Sequence, residues 1–184
     1  EATGRIRGIA AGLSGATRGA GIAGSISVNM IDSETGAYVD AGSVISGATD
    51  VFITAKDTSS IVAVAGALAY GGKAGVGAGV AVNYIDGSSD AYVKDSDIIT
   101  GGTLALDAEN DADILAIAAA IGASKGTMAA AISVSVNTIS NDARAYILGT
   151  NTGNGIYAGN GIALTATDTS DIDVYAGGIA LAFG

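Results

Sequence analysis

In three places along the chain alternate positions are apolar throughout on one face and mostly polar on the other. In 51–56 Val51, Ile53 and Ala55 fall on one face and Phe52, Thr54 and Lys56 on the other. Leu104, Leu106 and Ala108 repeat the pattern against Ala105, Asp107 and Glu109, as do Ile162, Leu164 and Ala166 against Ala163, Thr165 and Thr167. A period of two with one wet face predicts a half-buried β-strand. The stretch 61–70, IVAVAGALAY, behaves differently. Ala63, Ala65, Ala67 and Ala69 line one face, and Val62, Val64, Gly66 and Leu68 the other, so both faces are apolar and both are expected to be covered.

These stretches recur. Asn29, Asn83 and Asn137 are equally spaced, and so are Tyr38, Tyr92 and Tyr146, and Ile31, Ile85 and Ile139. Each unit reads as four segments: A (61–70 in the middle copy), B (77–85), C (90–96) and D (103–110), with GGKAG, DGSS and ITGG as punctuation. Four A segments and three each of B, C and D fit in the chain. The repeats run approximately over 7–60, 61–113 and 114–171, with a closing strand at 172–184, all in one domain spanning 1–184.

Residues 114–140 hold one charge and are Ala-rich, which by itself suggests a helix or a membrane span. The aligned stretch of the middle copy is full of Gly and Val, which disfavour helix and suit strand. Repeats share one backbone, so the least helical copy decides. The expected fold is an all-β repeat array, a β-solenoid or stacked β-arch with equivalent residues about 4.8 Å apart. An antiparallel meander or sandwich is the alternative.

Composition removes whole classes of chemistry. With no Cys and no His there is no disulfide, thiolate metal site or His-activated nucleophile. Eighteen carboxylates against eight bases give a net charge of -10, which argues against nucleic acid and against an anionic membrane surface. A transmembrane barrel needs aromatic girdles, which are missing. No membrane insertion is expected.

The string AVAGALAYGGKAGVGAGVAVNYIDGSSDAYV, with its copies around Asn83 and Tyr92, resembles the repeats of large filamentous-haemagglutinin-like and leukotoxin-like surface adhesins. That resemblance implies a β-solenoid stalk at the cell surface. In overall character the chain is also similar to extracellular sheath and fibre subunits that polymerise outside the cell.

The candidate chemistry lies in rows. Asn29, Asn83 and Asn137 predict a side-chain amide ladder. Tyr38, Tyr92 and Tyr146 predict a packing stack, with a carbohydrate platform as the alternative. Arg18, Lys73 and Lys125 place one base in each A–B turn, either a cationic ridge for an anionic polymer or a solvated turn. Asp107, Glu109, Asp111 and Asp113 share one strand face and are weak Ca²⁺ candidates, although Lys56 over Glu109 offers an ion pair instead. No cofactor and no catalytic residue is expected. The insertion 149–161, with Asn151, Asn154, Tyr157 and Asn160, is a candidate contact loop for a surface glycan or cell-wall polymer.

Both ends of the array are apolar A segments, whereas repeat arrays need polar caps to stay apart. Ile6, Ile9 and Leu13 at one end, and Val174, Tyr175, Ile179, Leu181 and Phe183 at the other, are the expected assembly strands. The sequence therefore predicts a non-enzymatic structural protein of the cell surface, self-assembling with copies of itself by strand-edge pairing into a fibre, ring or sheath. A stalk or binding segment of a giant adhesin is the alternative.

Overall fold

The computed structural model describes residues 1–149, 153 and 155–184. Among these residues there are ten β-strands and no helix: β1 (Ala2–Ala16), β2 (Ala20–Val39), β3 (Val44–Ala48), β4 (Val51–Gly71), β5 (Ala74–Lys94), β6 (Asp97–Thr100), β7 (Thr103–Ser124), β8 (Met128–Leu148), β9 (Ile156–Ala158) and β10 (Gly161–Ala182). They form three sheets, ordered β1-β4-β7-β10, β2-β5-β8 and β3-β6-β9. Every pairing is parallel. The fold is thus a β-solenoid, and the meander is excluded, because hairpin-linked strands pair antiparallel.

The path of a rung is simple. The chain runs along the first sheet, turns at 17–19, returns along the second sheet, crosses the short third sheet and re-enters the first one rung higher. Asn29 lies beside Asn83 and Asn83 beside Asn137, so the second sheet keeps the repeat in register throughout.

Three details depart from the sequence reading. Segments B and C are one continuous strand, with DGSS inside β5 and not in a turn; D and A likewise fuse into β4, β7 and β10. The short third sheet has no counterpart in the sequence pattern, where ITGG reads as punctuation. Its Ile45, Ile98 and Ile156 stack in register, and Ile98 is fully buried. Finally, the outer face of the A strands is not covered by any element of this chain: Ile9, Leu13 and Leu68 are exposed.

The cause of that exposure is side-chain size. At the broad end, near the third sheet, the interior is filled by Ile53, Val93, Ile98, Leu104 and Leu106. Ile31, Ile61, Ile85 and Ile114 follow. Toward the tip turns only Ala, Gly and Ser face inward, as in the cluster Ala65, Ala81 and Ala118. A Cβ on Gly77 would stand 2.6 Å from the Ile121 carbonyl oxygen. The two sheets therefore approach almost backbone to backbone, far inside the usual spacing of about 10 Å. No branched side chain fits between them, and Val, Ile and Leu must point outward. Each rung is a wedge: broad and polar-coated at one end, thin and apolar-coated at the other.

Candidate functional site

The asparagine row is an internal amide ladder. Asn29 Nδ2 donates to Asn83 Oδ1 at 2.8 Å, and Asn83 Nδ2 to Asn137 Oδ1 at 2.7 Å. Ser27 and Ser135 accept a further bond from the outer members at 3.1 and 2.9 Å. Asn83 is buried. Its polar atoms are occupied by its neighbours, which is the condition for a polar row inside a dry core.

Tyr38, Tyr92 and Tyr146 stack with centroids 5.0 Å apart at both steps and interplanar angles of 9° and 7°. Burial between its neighbours, followed by the negative charge of Asp40, raises the Tyr92 phenol above its ordinary value of 10.0. Tyr84 donates to Asp86 Oδ2 at 3.0 Å, and that bond is the main reason its own phenol is raised.

The sequence reading missed a second interior polar layer, between the two large apolar clusters. Ser33 donates to the buried Asp57 carboxylate, and Ser89 donates to Asn110 Oδ1 at 2.5 Å. Asn110 Nδ2 donates to the Asp142 carbonyl at 3.0 Å, and Asn141 Nδ2 to Asp168 Oδ1 at 3.0 Å. Asp57, Asn110 and Asp168 occupy one register position of the first sheet. The signal was present in the sequence as a polar column inside otherwise apolar inward positions.

The acidic row is spread along the strand and does not converge. Asp107, Glu109, Asp111 and Asp113 project from alternate positions of β7, and Lys56 Nζ pairs with Glu109 at 2.7 Å. That bond is the main cause of the raised Lys56 pKa. Among the described residues no group of three or more carboxylates is placed to hold a metal ion. Asp113 instead joins Asp171 and Asp173 around an open hollow of about 350 Å³ that also includes Ser60 and Leu115. On the second sheet Arg144 binds Asp90 through both arms, at 2.7 and 3.1 Å.

Arg18, Lys73 and Lys125 are exposed at the thin tip. Their turns are tied rung to rung, with Lys73 N–H donating to the Gly19 carbonyl at 3.0 Å and Lys125 N–H to that of Gly71 at 3.1 Å. Of the proposed contact loop, Asn151 and Asn154 lie outside the described residues. Tyr157 is in β9, paired beside Ile99, and Asn160 N–H bonds the Gly102 carbonyl at 2.9 Å. Gly155 and Gly161, at φ 73° and 108°, take the left-handed positions that glycine adopts without strain.

The assembly strands sit at the two ends of the four-stranded sheet. β1 forms one edge and β10 the other. Ile9 and Leu13 face outward, whereas Ile6 packs inward against the central isoleucine cluster. Every residue of β10 is exposed, including Val174, Tyr175, Ile179 and Leu181, and Phe183 follows it. No family model, curated protein or solved structure matches this chain.

Proposed function

We propose that this protein is a non-enzymatic structural element of the cell surface whose solenoid continues by strand-edge pairing with copies of itself, building an extracellular fibre, ring or sheath. The observation that carries the reading is the pair of open edges. β10 offers a ladder of unpaired backbone groups, and β1 offers the complementary ladder in the same parallel sense. Uncapped parallel edges template further strands. The interior supports a mechanical role, because amide and tyrosine ladders resist shear between rungs only while all rungs stay in register. Electron microscopy of the purified chain tests the reading: filaments or tubes that survive detergent are expected, and dispersed particles at high concentration overturn it.

A second reading, a segment of a long adhesin stalk, is favoured by the strand count. The first sheet has four strands and the second three. A second copy added at β10 leaves the second sheet one strand short at the junction, whereas one further strand beside β8 completes the rung. Dispersed rods of uniform width favour this reading over the polymer.

A further inference from the structure

The two open edges of the first sheet carry opposite charge at the same register. Arg5 lies beside Ser60, Ser60 beside Asp113 and Asp113 beside Asp171, so one column across the four strands runs from a base on β1 to an acid on β10. Arg7, Val62, Leu115 and Asp173 make a second column two residues on, with the same polarity. Arg5, Arg7, Asp171 and Asp173 are exposed on the outer face, because Ile6 and Ile172 between them align with the inward Ile61 and Ile114. Within one copy three strand spacings separate base from acid, roughly 14 Å, which is beyond ion-pair reach. Among the described residues the ion pairs are those of Lys56 with Glu109 and of Arg144 with Asp90 and Asp142, so these four charges have none in the single chain.

We infer that β1 of a second copy pairs with β10 in the register of the repeat itself, locked by its Arg5 on Asp171 and its Arg7 on Asp173. The inference rests on the reading that copies join by strand-edge pairing, and adds the register, the polarity and the residues that select the partner. The chain holds two precedents for such a lock. Lys56 and Glu109 share a register position on neighbouring strands and bond at 2.7 Å. Asp90 and Arg144 do the same on the second sheet, at 2.7 and 3.1 Å. Opposite charges one rung apart thus meet in these parallel sheets, and β10 followed by β1 reproduces that spacing.

The apolar positions agree with the charges. In this register Ile6 of the added copy continues the inward column of Ile61, Ile114 and Ile172, and its Leu13 continues the outward ridge of Leu68, Ile121 and Ile179. A slip of two residues keeps one of the two ion pairs, and a slip of one turns both arginines inward. Pairing of like edges sets Arg5 and Arg7, or Asp171 and Asp173, against their own kind, which disfavours closed symmetric pairs and leaves head-to-tail growth. The second sheet keeps a one-strand slot at each junction. Its walls, the edges of β8 and β2, are already open in the single chain, so the junction exposes nothing new.

The test is a charge exchange in the full chain. Arg5→Glu with Arg7→Glu makes the β1 edge acidic like that of β10, and Asp171→Arg with Asp173→Arg makes the β10 edge basic like that of β1. Each double variant alone is expected to raise the concentration needed for filaments at least about tenfold. An equal mixture of the two is expected to return to the wild-type value, because each acidic edge then meets a basic one, and that recovery shows that both variants fold. Register is read separately. The chain has no Cys, and a Cβ on Gly177 meets nothing within 4 Å. Ala11→Cys and Gly177→Cys fall side by side at the junction, about 4.8 Å apart, and are expected to cross-link in mixed filaments. Ala11→Cys with Leu181→Cys, four residues out of register, is expected not to. Filaments from either charge variant at the wild-type concentration, or a mixture no better than its parts, overturn the lock and leave strand-edge pairing standing. Cross-linking of Ala11→Cys to Leu181→Cys in place of Gly177→Cys overturns the register. A wild-type chain that stays dispersed at high concentration overturns strand-edge pairing itself, and the lock with it.

Discussion

At the residue scale, the interior polar ladders set the register, and their central members carry the most. Asn83 both donates and accepts, so Asn83→Leu leaves the Asn29 amide and the Asn137 carbonyl without their rung partners. Each orphaned buried group costs about 1–3 kcal/mol. Chemical denaturation is expected to show a loss in that range or above it, and a smaller loss for Asn29→Leu, which orphans one neighbour instead of two. The alkaline limb of stability belongs to two other residues. Tyr92, raised by burial, and Lys56, raised by its bond to Glu109, hold their protons more tightly folded than unfolded. Their contribution is complete below the unfolded values near pH 10 and is lost as pH rises through the folded ones. A series of melting temperatures from pH 8 upward should therefore fall above pH 10, and Tyr92→Phe combined with Lys56→Met should flatten the fall. An unchanged slope in the double variant contradicts this assignment.

At the scale of the element, position within a strand decides what a small residue does. Gly77 faces inward, where a Cβ would stand only 2.6 Å from the Ile121 carbonyl oxygen, whereas Gly66 faces outward with nothing within 4 Å of where a Cβ would go. Gly77→Ala must push the sheets apart, and overpacking of this kind costs about 1–3 kcal/mol. Gly66→Ala adds a side chain to open space and restricts the unfolded chain, so it should be neutral or slightly stabilising. Thermal melts of the two variants should move in opposite directions or differ by several degrees.

The same contrast explains how far the elements were legible in the sequence. The repeat and the strand character of 103–110 follow from periodicity alone, whereas the parallel pairing of Asn83 with Asn29 and Asn137 does not, because the same period fits a meander. The fusion of B with C does not. Gly87 reads as punctuation, yet a Cβ there would stand 2.8 Å from Asn141 Oδ1 and 3.1 Å from Asp57 Oδ2, so the glycine makes room for a polar layer within a straight strand. Which face of the A strands is interior was equally illegible. Alanine on one face and valine on the other give no hint of which is buried until the sheet separation is known. The third sheet is not legible because three to five residues are too few to show a period, although the stacked Ile45, Ile98 and Ile156 carry it across rungs.

At the scale of the whole molecule, a solenoid is held together rung by rung, and protection should follow the stack. β4, β5 and β7 are hydrogen-bonded on both sides, whereas β10 has one partner and no second-sheet strand completing its rung. In a parallel edge strand alternate N–H groups point away from the neighbour and stay open to water. Hydrogen exchange on the dispersed chain should therefore be fast at alternate amides of β10 and slow throughout β4 and β7. Edge pairing closes those amides together with the open ones of β1, and no others in the sheet. Filament formation is thus expected to slow exchange selectively in β10 and β1. Exchange that stays fast at the β10 edge in assembled material contradicts strand-edge pairing.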